Sequence, residues 1–376
     1  MGTMKNSPTR SVAGSLEAPM SLLHHAAERL ASDVHLVSGY PVTLRVHGNL
    51  EAVGDGPLES GALREMIRRL MPERLVERME AGVEKNFDFS VSLEHEGRPC
   101  RYRANVYLAQ GQWCACLRHV PNEIPTFEWL GFSEALAQRL IAFKNGLVAI
   151  TGVVGSGKST TLAALLHLLN VRGGVRVITV EEPIEYVHPP LSTSVITQRE
   201  VGRDVDSFLD GLKYGLRQDP DVILLGEIRD RETAQMALTA AETGHLILTT
   251  LHTQDAKGAI TRITDLFPSD AQDDVRTQLA LSLRSVVSQH LLPAAREGEK
   301  RVLALEALHV NNPIRAGIKF GKIDSIESAI QTGRRDGMIS LDDDLSRLAT
   351  EGRISLDTAR RFAKDPEAMG LNRTGR

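Results

Sequence analysis

The residues with the clearest chemical potential form the glycine-rich segment "GVVGSGKST" at 152–160. This segment has the pattern G-x-x-x-x-G-K-[S/T]; it follows the strand-like run "GLVAIT" and leads into the helix-like run "TTLAALLHLLN". In that context glycine amides turn toward phosphate oxygens, and the N-terminus of the helix adds about half a positive charge. The segment therefore predicts a phosphate-binding P-loop.

The pattern also assigns individual contacts to a bound nucleotide. We expect Lys158 to meet the β- and γ-phosphates, Ser159 to hold Mg²⁺, and Thr160 to assist near the α-phosphate. The alternative, a glycine-rich turn with an incidental lysine, is disfavoured by the flanking strand and helix. The predicted nucleotide-binding residues are Gly152, Gly155, Ser156, Gly157, Lys158, Ser159 and Thr160.

Two further apolar runs end in carboxylates, "ITVEEPIEY" at 178–186 and "DPDVILLGEIRD" at 219–230. In open α/β sheets ligands bind at the carboxyl ends of the strands, so Glu227 is placed to hold the metal or orient water, unless it is a solvated strand end. Glu181 and Glu182 are successive strand residues and point to opposite sides. Only one of them can serve as a base for water, and spacing alone does not choose between them.

Two histidines flank a fourth run, "AETGHLILTTLHTQDA". His245 begins the run and His252 lies just past its end, and this seven-residue separation is a poor spacing for zinc ligands. Each could be structural, or the pair could sense or polarise the γ-phosphate.

These segments need a sheet to position them. Short apolar runs from Gly146 onward alternate with helical segments, which is typical of a doubly wound, mostly parallel α/β domain. The earlier residues show helices, hairpins and an antiparallel meander, which predict a smaller α+β domain. The expected boundaries are a mobile tail at 1–20, the α+β domain at 21–120, a linker at 121–135, and the larger domain at 136–376 with a helical C-terminal portion.

Composition narrows the function classes. The net charge is −4 and no basic stripe is present, which disfavours nucleic-acid binding. The three cysteines are too few for a disulfide framework or a four-cysteine zinc site. No apolar run approaches the roughly 18 residues of a spanning helix, and no leader is recognised, so a cytoplasmic location is expected.

The four motifs, in this order, resemble the Walker A, aspartate box, Walker B and histidine box segments of the secretion ATPase superfamily. That superfamily contains the motors of type IV pili, type II secretion and conjugative secretion. The segments "ASDVHLVSGYPVTLRVHGNL", "FDFSVS" and "IPTFEWLGF" resemble the small domain of the pilus retraction ATPases, the PilT/PilU type. The resemblance implies an α/β fold: a RecA-like P-loop NTPase core with a smaller N-terminal α+β (PAS-like) domain.

The resemblance also implies roles for single residues. It makes Glu181 the catalytic base and Glu227 the Walker B acid beside the metal. The second acid of the aspartate box is usually Asp, and the role of Glu182 in its place stays open. The remaining implied catalytic residues are His245 and His252 of the histidine box and the nucleotide-facing arginines Arg103 and Arg118, with Arg101 as a competitor.

The implied function is an ATP- and Mg²⁺-dependent homohexameric motor for pilus retraction, pilin disassembly and twitching motility. It would act at the cytoplasmic face of the inner membrane, on a platform protein at the pilus base, with a possible retraction ATPase paralogue. The absence of a large extra N-terminal domain and of a zinc module favours retraction over assembly.

Three alternatives remain open. The segment "PIRAGIKFGK" at 313–322 resembles the retraction signature "AIRNLIREGK" but departs from it at Ala316, Gly317 and Phe320, which leaves an accessory or assembly ATPase of a type II or type IV pilus system possible. A nucleic-acid translocase and a nucleotide-gated subunit without turnover are the other two.

Overall fold

The computed structural model describes residues 19–46, 49–54, 56–95, 97–120, 123–191, 193–296 and 298–367. The predicted tail falls mainly on residues outside these ranges, and the first helix begins at Pro19. The chain divides into two compact units, Met1–Glu123 and Ile124–Arg376. Within the described residues, no helix is long and apolar enough to cross a membrane.

The described residues of the first unit form a six-stranded antiparallel sheet and three helices. In chain order its elements are α1 Pro19–Glu28, β1 Ala31–Leu36, β2 Val42–Val46, β3 Asn49–Val53, α2 Ser60–Leu70, α3 Glu73–Glu80, β4 Asn86–His95, β5 Arg98–Ala109 and β6 Gln112–Val120. The strand order is β3-β2-β1-β6-β5-β4. Helix α2 buries Leu63, Met66, Ile67 and Leu70, whose spacing of three and four residues makes one apolar face. This face packs in the same core as the sheet.

The second unit is built on a seven-stranded sheet with the order β13-β12-β7-β11-β10-β8-β9. Its elements up to the last strand are α4 Phe127–Leu130, α5 Glu134–Ile141, β7 Gly146–Thr151, α6 Lys158–Arg172, β8 Arg176–Glu181, β9 Val195–Glu200, α7 Phe208–Gly215, β10 Val222–Leu225, α8 Arg231–Glu242, β11 Leu246–Leu251, α9 Ala256–Asp265, α10 Gln272–Ser282, β12 Leu283–Leu292 and β13 Val302–His309. All pairs are parallel except β12 with β13. The segment predicted as a linker contains α4.

The centre of this sheet is covered on both faces. Every residue of β7, β10 and β11 is buried, as expected for parallel strands flanked by helices. Leu147 and Ala149 of β7 join the core on one face, and Val148 and Ile150 join the core on the other. The mixed α/β fold class predicted from the sequence is confirmed.

Strands β9 and β12 were not predicted from the sequence. β12 reads "LRSVVSQHLL", and its buried Ser285, Ser288 and Gln289 interrupt the apolar run that identifies a strand. The Nε2 of Gln289 donates to Thr161 Oγ1 at 2.7 Å, so the donor half of this buried amide is satisfied. β9 is a half-exposed edge strand.

The predicted C-terminal helical portion is present. It contains α11 Asn312–Lys319, α12 Ser325–Thr332, a 3₁₀ turn at Gly333–Asp336, α13 Leu341–Thr350 and α14 Leu356–Phe362. Asn311, Ser340 and Ser355 each accept a hydrogen bond from a backbone amide of the helix they precede, which satisfies donors that the first turn leaves unpaired.

A buried histidine at the end of β13 makes stability depend on pH. His309 is 3% exposed, and its Nδ1 lies 3.0 Å from Ser285 Oγ. Burial, with a smaller contribution from the positive charge of Arg139, lowers the pKa of His309 to about 4. An unfolded histidine titrates near pH 6.5, so between about pH 6.5 and 4 the unfolded state binds more protons. The free energy of unfolding should therefore fall as pH decreases through this range and be independent of His309 above it.

We expect His309→Gln to reduce the slope of the free energy of unfolding against pH. The reduction should be at most about 1.4 kcal/mol per pH unit, which corresponds to one proton. The measurement is urea unfolding from pH 7.5 to 4.5 in a Trp113→Phe background, so that Trp129 reports on the second unit. A residual slope should remain, because burial and the neighbouring His167 also lower the pKa of His188 to about 4. An unchanged slope in the His309→Gln chain would contradict this assignment.

Candidate nucleotide-binding and hydrolysis site

The P-loop connects β7 to α6 through glycines in left-handed conformations. Gly152, Gly155 and Gly157 have φ values of +145°, +77° and +90°. A Cβ on Gly152 would lie 2.5 Å from both Gln289 O and Ser156 Oγ. Only glycine fits this first position, and the loop can therefore turn its amides inward.

The P-loop lysine is folded onto its own loop. Lys158 Nζ donates to Gly152 O at 2.9 Å and to Val153 O at 3.0 Å, and the side chain is buried. Burial lowers the pKa of Lys158, while the carboxylates of Glu227 and Glu185 act in the opposite direction. The ammonium group thus lies in the centre of the site with two acids close enough to influence it.

The groups around the lysine suit a phosphate and a hard metal ion. Among the described residues, buried Ser156 Oγ has no hydrogen-bond partner, which leaves a donor for a phosphate oxygen. Ser159 is exposed at the first turn of α6, and Thr160 Oγ1 lies 3.3 Å from Tyr186 Oη. A serine hydroxyl and the Glu227 carboxylate are oxygen ligands of the kind that Mg²⁺ prefers. The residues therefore fit Mg²⁺ with a nucleotide phosphate.

The Walker B glutamate is part of a charged network. Glu227 is 12% exposed, its Oε1 pairs with Arg229, and its Oε2 lies 3.2 Å from His252 Nε2. Arg229 Nη1 also donates to Glu182 Oε2 at 3.1 Å. Arg229 thus joins the Walker B acid to the second acid of the aspartate box.

The two adjacent glutamates of the aspartate box have different partners. Glu181 Oε1 accepts hydrogen bonds from Thr179 Oγ1 at 2.6 Å and from Gln198 Nε2 at 3.2 Å. Glu182 is bound to Arg229 instead. Glu181 is the last residue of β8, whereas Glu182 lies in the bend that follows it.

The two histidines of the histidine box lie at opposite ends of β11. This strand pairs in parallel with β7 from Leu246 opposite Gly146 to Leu251 opposite Thr151. His252 therefore follows β11 at the edge that carries the P-loop, whereas His245 precedes it at the other edge, about 23 Å away at 3.3 Å per residue. A role for His245 at phosphates bound by the same chain does not fit this geometry.

The two predicted arginines are neighbours in the first unit. Arg103 on β5 lies directly opposite Arg118 on β6. Arg118 Nε donates to Asp33 Oδ1 at 2.8 Å, and Arg103 Nη2 lies 3.9 Å from Asp88 Oδ1. Burial alone would raise the pKa of Asp33, but hydrogen bonds from Arg118 and a neighbouring serine outweigh it and lower this pKa. Contact of these arginines with a nucleotide stays a prediction.

Sequence reasoning did not assign roles to Arg229 or Gln198. Arg229 lies two residues after the Walker B acid. A positive charge so close to a predicted metal ligand indicates a possible ion pair with that ligand. Gln198 lies on β9, whose sequence "VITQRE" lacks the apolar run by which a strand is recognised. Gln198 is 17 residues from Glu181 in sequence. No local pattern identifies such a contact.

The P-loop, the carboxylates at the ends of β8 and β10 and the seven-stranded sheet define a RecA-like P-loop ATPase core. The family model "Type II/IV secretion system protein" matches residues 14–339. The chain belongs to this family and is an ATPase of the secretion ATPase superfamily, as the sequence predicted.

Several relatives are similar over nearly the whole chain. The type IV pilus retractation ATPase PilT of Pseudomonas aeruginosa is 41% identical, over 92% of this chain and 98% of that protein. The type IV pilus ATPase PilU of the same organism is 36% identical, over 93% of this chain and 90% of that protein. The crystal structure of the pilus retraction motor PilT with bound ADP has a TM-score of 0.83 at 38% identity, over 93% of this chain and 98% of that chain.

Proposed function

We propose that this chain is a cytoplasmic ATPase motor that drives type IV pilus retraction. The observation that carries the proposal is the similarity to the Pseudomonas aeruginosa retraction ATPase, which extends over 92% of this chain and 98% of that protein. A complete P-loop and the surrounding acids support turnover. The chain is accordingly a close homologue of pilus retraction ATPases in both units.

In the proposed mechanism, each group acts on a separate part of the reaction. Lys158 and the amides at the start of α6 neutralise the phosphates of ATP. Ser159 and Glu227 would hold Mg²⁺, which would supply charge stabilisation at the phosphates. Glu181 orients the attacking water and accepts its proton. Arg229 keeps Glu227 and Glu182 in fixed positions beside them.

The proposal extends to assembly and partners. We propose a homohexamer, because ring motors follow closed symmetry, acting on an inner-membrane platform protein at the pilus base. Arg103 and Arg118 would respond to the γ-phosphate, and hydrolysis would then change the arrangement of domains. Nucleic acid is not an expected partner, since the net charge is −4.

An accessory retraction ATPase is the second candidate. The altered signature helix supports it, whereas the 36% identity to PilU is lower than the 41% identity to PilT and does not favour it. Helix α11 contains Gly317 in its interior, where a Cβ would lie 3.1 Å from Ser325 Oγ, and Phe320 just beyond α11 is 69% exposed. These departures alter the segment that resembles the retraction signature.

Deletion of the gene tests the proposal, with complementation by the normal chain and by Lys158→Met. We expect the deletion strain to have abundant pili and no surface motility. The normal chain should restore motility, and the Lys158→Met chain should not. Loss of pili after deletion would contradict retraction and indicate assembly. Normal motility that is lost only in strains also lacking a second retraction ATPase would support the accessory role instead.

A further inference from the structure

The side-chain amide of Gln198 makes three hydrogen bonds at the edge of the hydrolysis site. Its Nε2 donates to Tyr186 O at 2.8 Å and to Glu181 Oε1 at 3.2 Å. Its Oε1 accepts from the backbone N–H of His188 at 2.9 Å. One side chain therefore contacts both the predicted base and the loop that follows it.

These partners fix the orientation of the amide. The N–H of His188 requires the oxygen of Gln198 on its side, and the carbonyl of Tyr186 requires the NH₂ group on the other. The reversed orientation would place the oxygen against two acceptors and the NH₂ group against a donor. The NH₂ group must therefore face the carboxylate of Glu181.

The sheet register brings this donor to the base. Strands β8 and β9 are parallel, and Gln198 lies directly opposite Thr179, two residues before Glu181 on the same face of the strand. Thr179 Oγ1 donates to the same oxygen, Glu181 Oε1, at 2.6 Å. Two donors on one oxygen set the direction of the carboxylate.

The same amide connects the base to the P-loop helix. Gln198 holds the carbonyl of Tyr186, and the hydroxyl of Tyr186 lies 3.3 Å from Thr160 Oγ1 in the first turn of α6. Two hydrogen-bonding groups of Tyr186, its hydroxyl and its carbonyl, thus link α6 to Gln198, and Gln198 in turn contacts Glu181.

We propose that Gln198 is a positioning residue that holds the Glu181 carboxylate aimed for attack on the nucleotide, and that ties the base to the P-loop helix. The proposal rests on the proposed role of Glu181 as base. Gln198 itself does not touch the nucleotide in this scheme, and it acts through the carboxylate.

The test is Gln198→Glu, which keeps the size of the side chain and the acceptor for His188 N–H. It removes both donated hydrogen bonds and places a second carboxylate beside Glu181. We expect kcat for ATP at pH 7 to fall by about tenfold or more, with KM changed by less than about threefold. The acid limb of the kcat/KM profile should move to higher pH by about one unit, because a like charge disfavours ionisation of the base.

Gln278→Glu is the matched control. Gln278 Nε2, on the half-buried Gln278 of α10, donates to Oε2 of the exposed Glu242 of α8 at 2.9 Å, so the same charge is added beside a glutamate away from the P-loop. We expect this variant to keep the kcat and pH profile of the unmodified chain.

Gln198→Met provides a second variant without an added charge. It should also lose kcat, and either Gln198 change should have little further effect in a Glu181→Gln background if Gln198 acts through Glu181. If Gln198→Glu does not fold, the proposal is tested with Gln198→Met alone. A kcat of Gln198→Met equal to that of the unmodified chain would overturn the proposal. An unmoved pH profile in folded Gln198→Glu would overturn it as well.

The outcomes also separate this inference from the proposed function. If Glu181→Gln keeps its turnover, the assignment of the base fails, and the inference fails with it. If Glu181→Gln loses turnover while both Gln198 variants behave like the unmodified chain, the base assignment stands and only the role of Gln198 is rejected.

Discussion

Glu181→Gln is expected to lower ATP turnover by about 10²- to 10⁴-fold while ATP binding stays nearly normal. The substitution keeps the shape of the side chain and removes its ability to accept a proton. Binding should persist because the phosphate contacts come from the P-loop and not from Glu181. The measurement is steady-state phosphate release beside a binding titration with a fluorescent ATP analogue.

Glu182→Gln is the control for this prediction. Glu182 is 40% exposed and bound to Arg229, which keeps its second partner, Glu227, when the charge of Glu182 is removed. We therefore expect less than about a tenfold loss of turnover, since one partly exposed ion pair contributes little. Loss of turnover in Glu182→Gln with a nearly normal Glu181→Gln would show that the base is Glu182.

Lys158→Met is expected to abolish detectable ATP turnover and weaken nucleotide binding without destabilising the unliganded chain. Burial lowers the pKa of Lys158, so the fold pays a cost to hold this ammonium charged in its interior. Methionine fills similar space with no charge to desolvate. Activity and unliganded stability should therefore change in opposite directions, as is common at binding sites.

Thermal unfolding with and without Mg²⁺ and ATP measures both effects. A ligand at 100 times its Kd stabilises the native state by about 2.7 kcal/mol, and this increment should be absent in Lys158→Met. Lys257→Met is the matched control, because Lys257 pairs with Asp324 at the surface. The control should keep the nucleotide-induced shift. If Lys158→Met shows the full nucleotide-induced stabilisation, the assignment of Lys158 to the phosphate site is wrong.

The sequence predicts those features that local pattern encodes. The P-loop, the buried parallel strands and the acids at their ends could all be read from contiguous segments. Strand alternation predicts that Glu181 and Glu182 point apart, but it does not predict the partner of either side chain. Arg229 and Gln198 reach those acids across strands, so their contacts depend on sheet order. β9 has no apolar run by which it could be predicted as a strand, so the sequence does not place Gln198 beside Glu181.

The position of β11 has a mechanical consequence for a motor. β11 lies between β7 and β10, paired with β7 over six residues and with β10 over four. A strand that is hydrogen-bonded on both sides opens less readily than its surroundings, so we expect the two edges of the sheet marked by His245 and His252 to move together. If the core deforms during turnover, we therefore expect the deformation in the loops and helices around the sheet and not in the sheet itself.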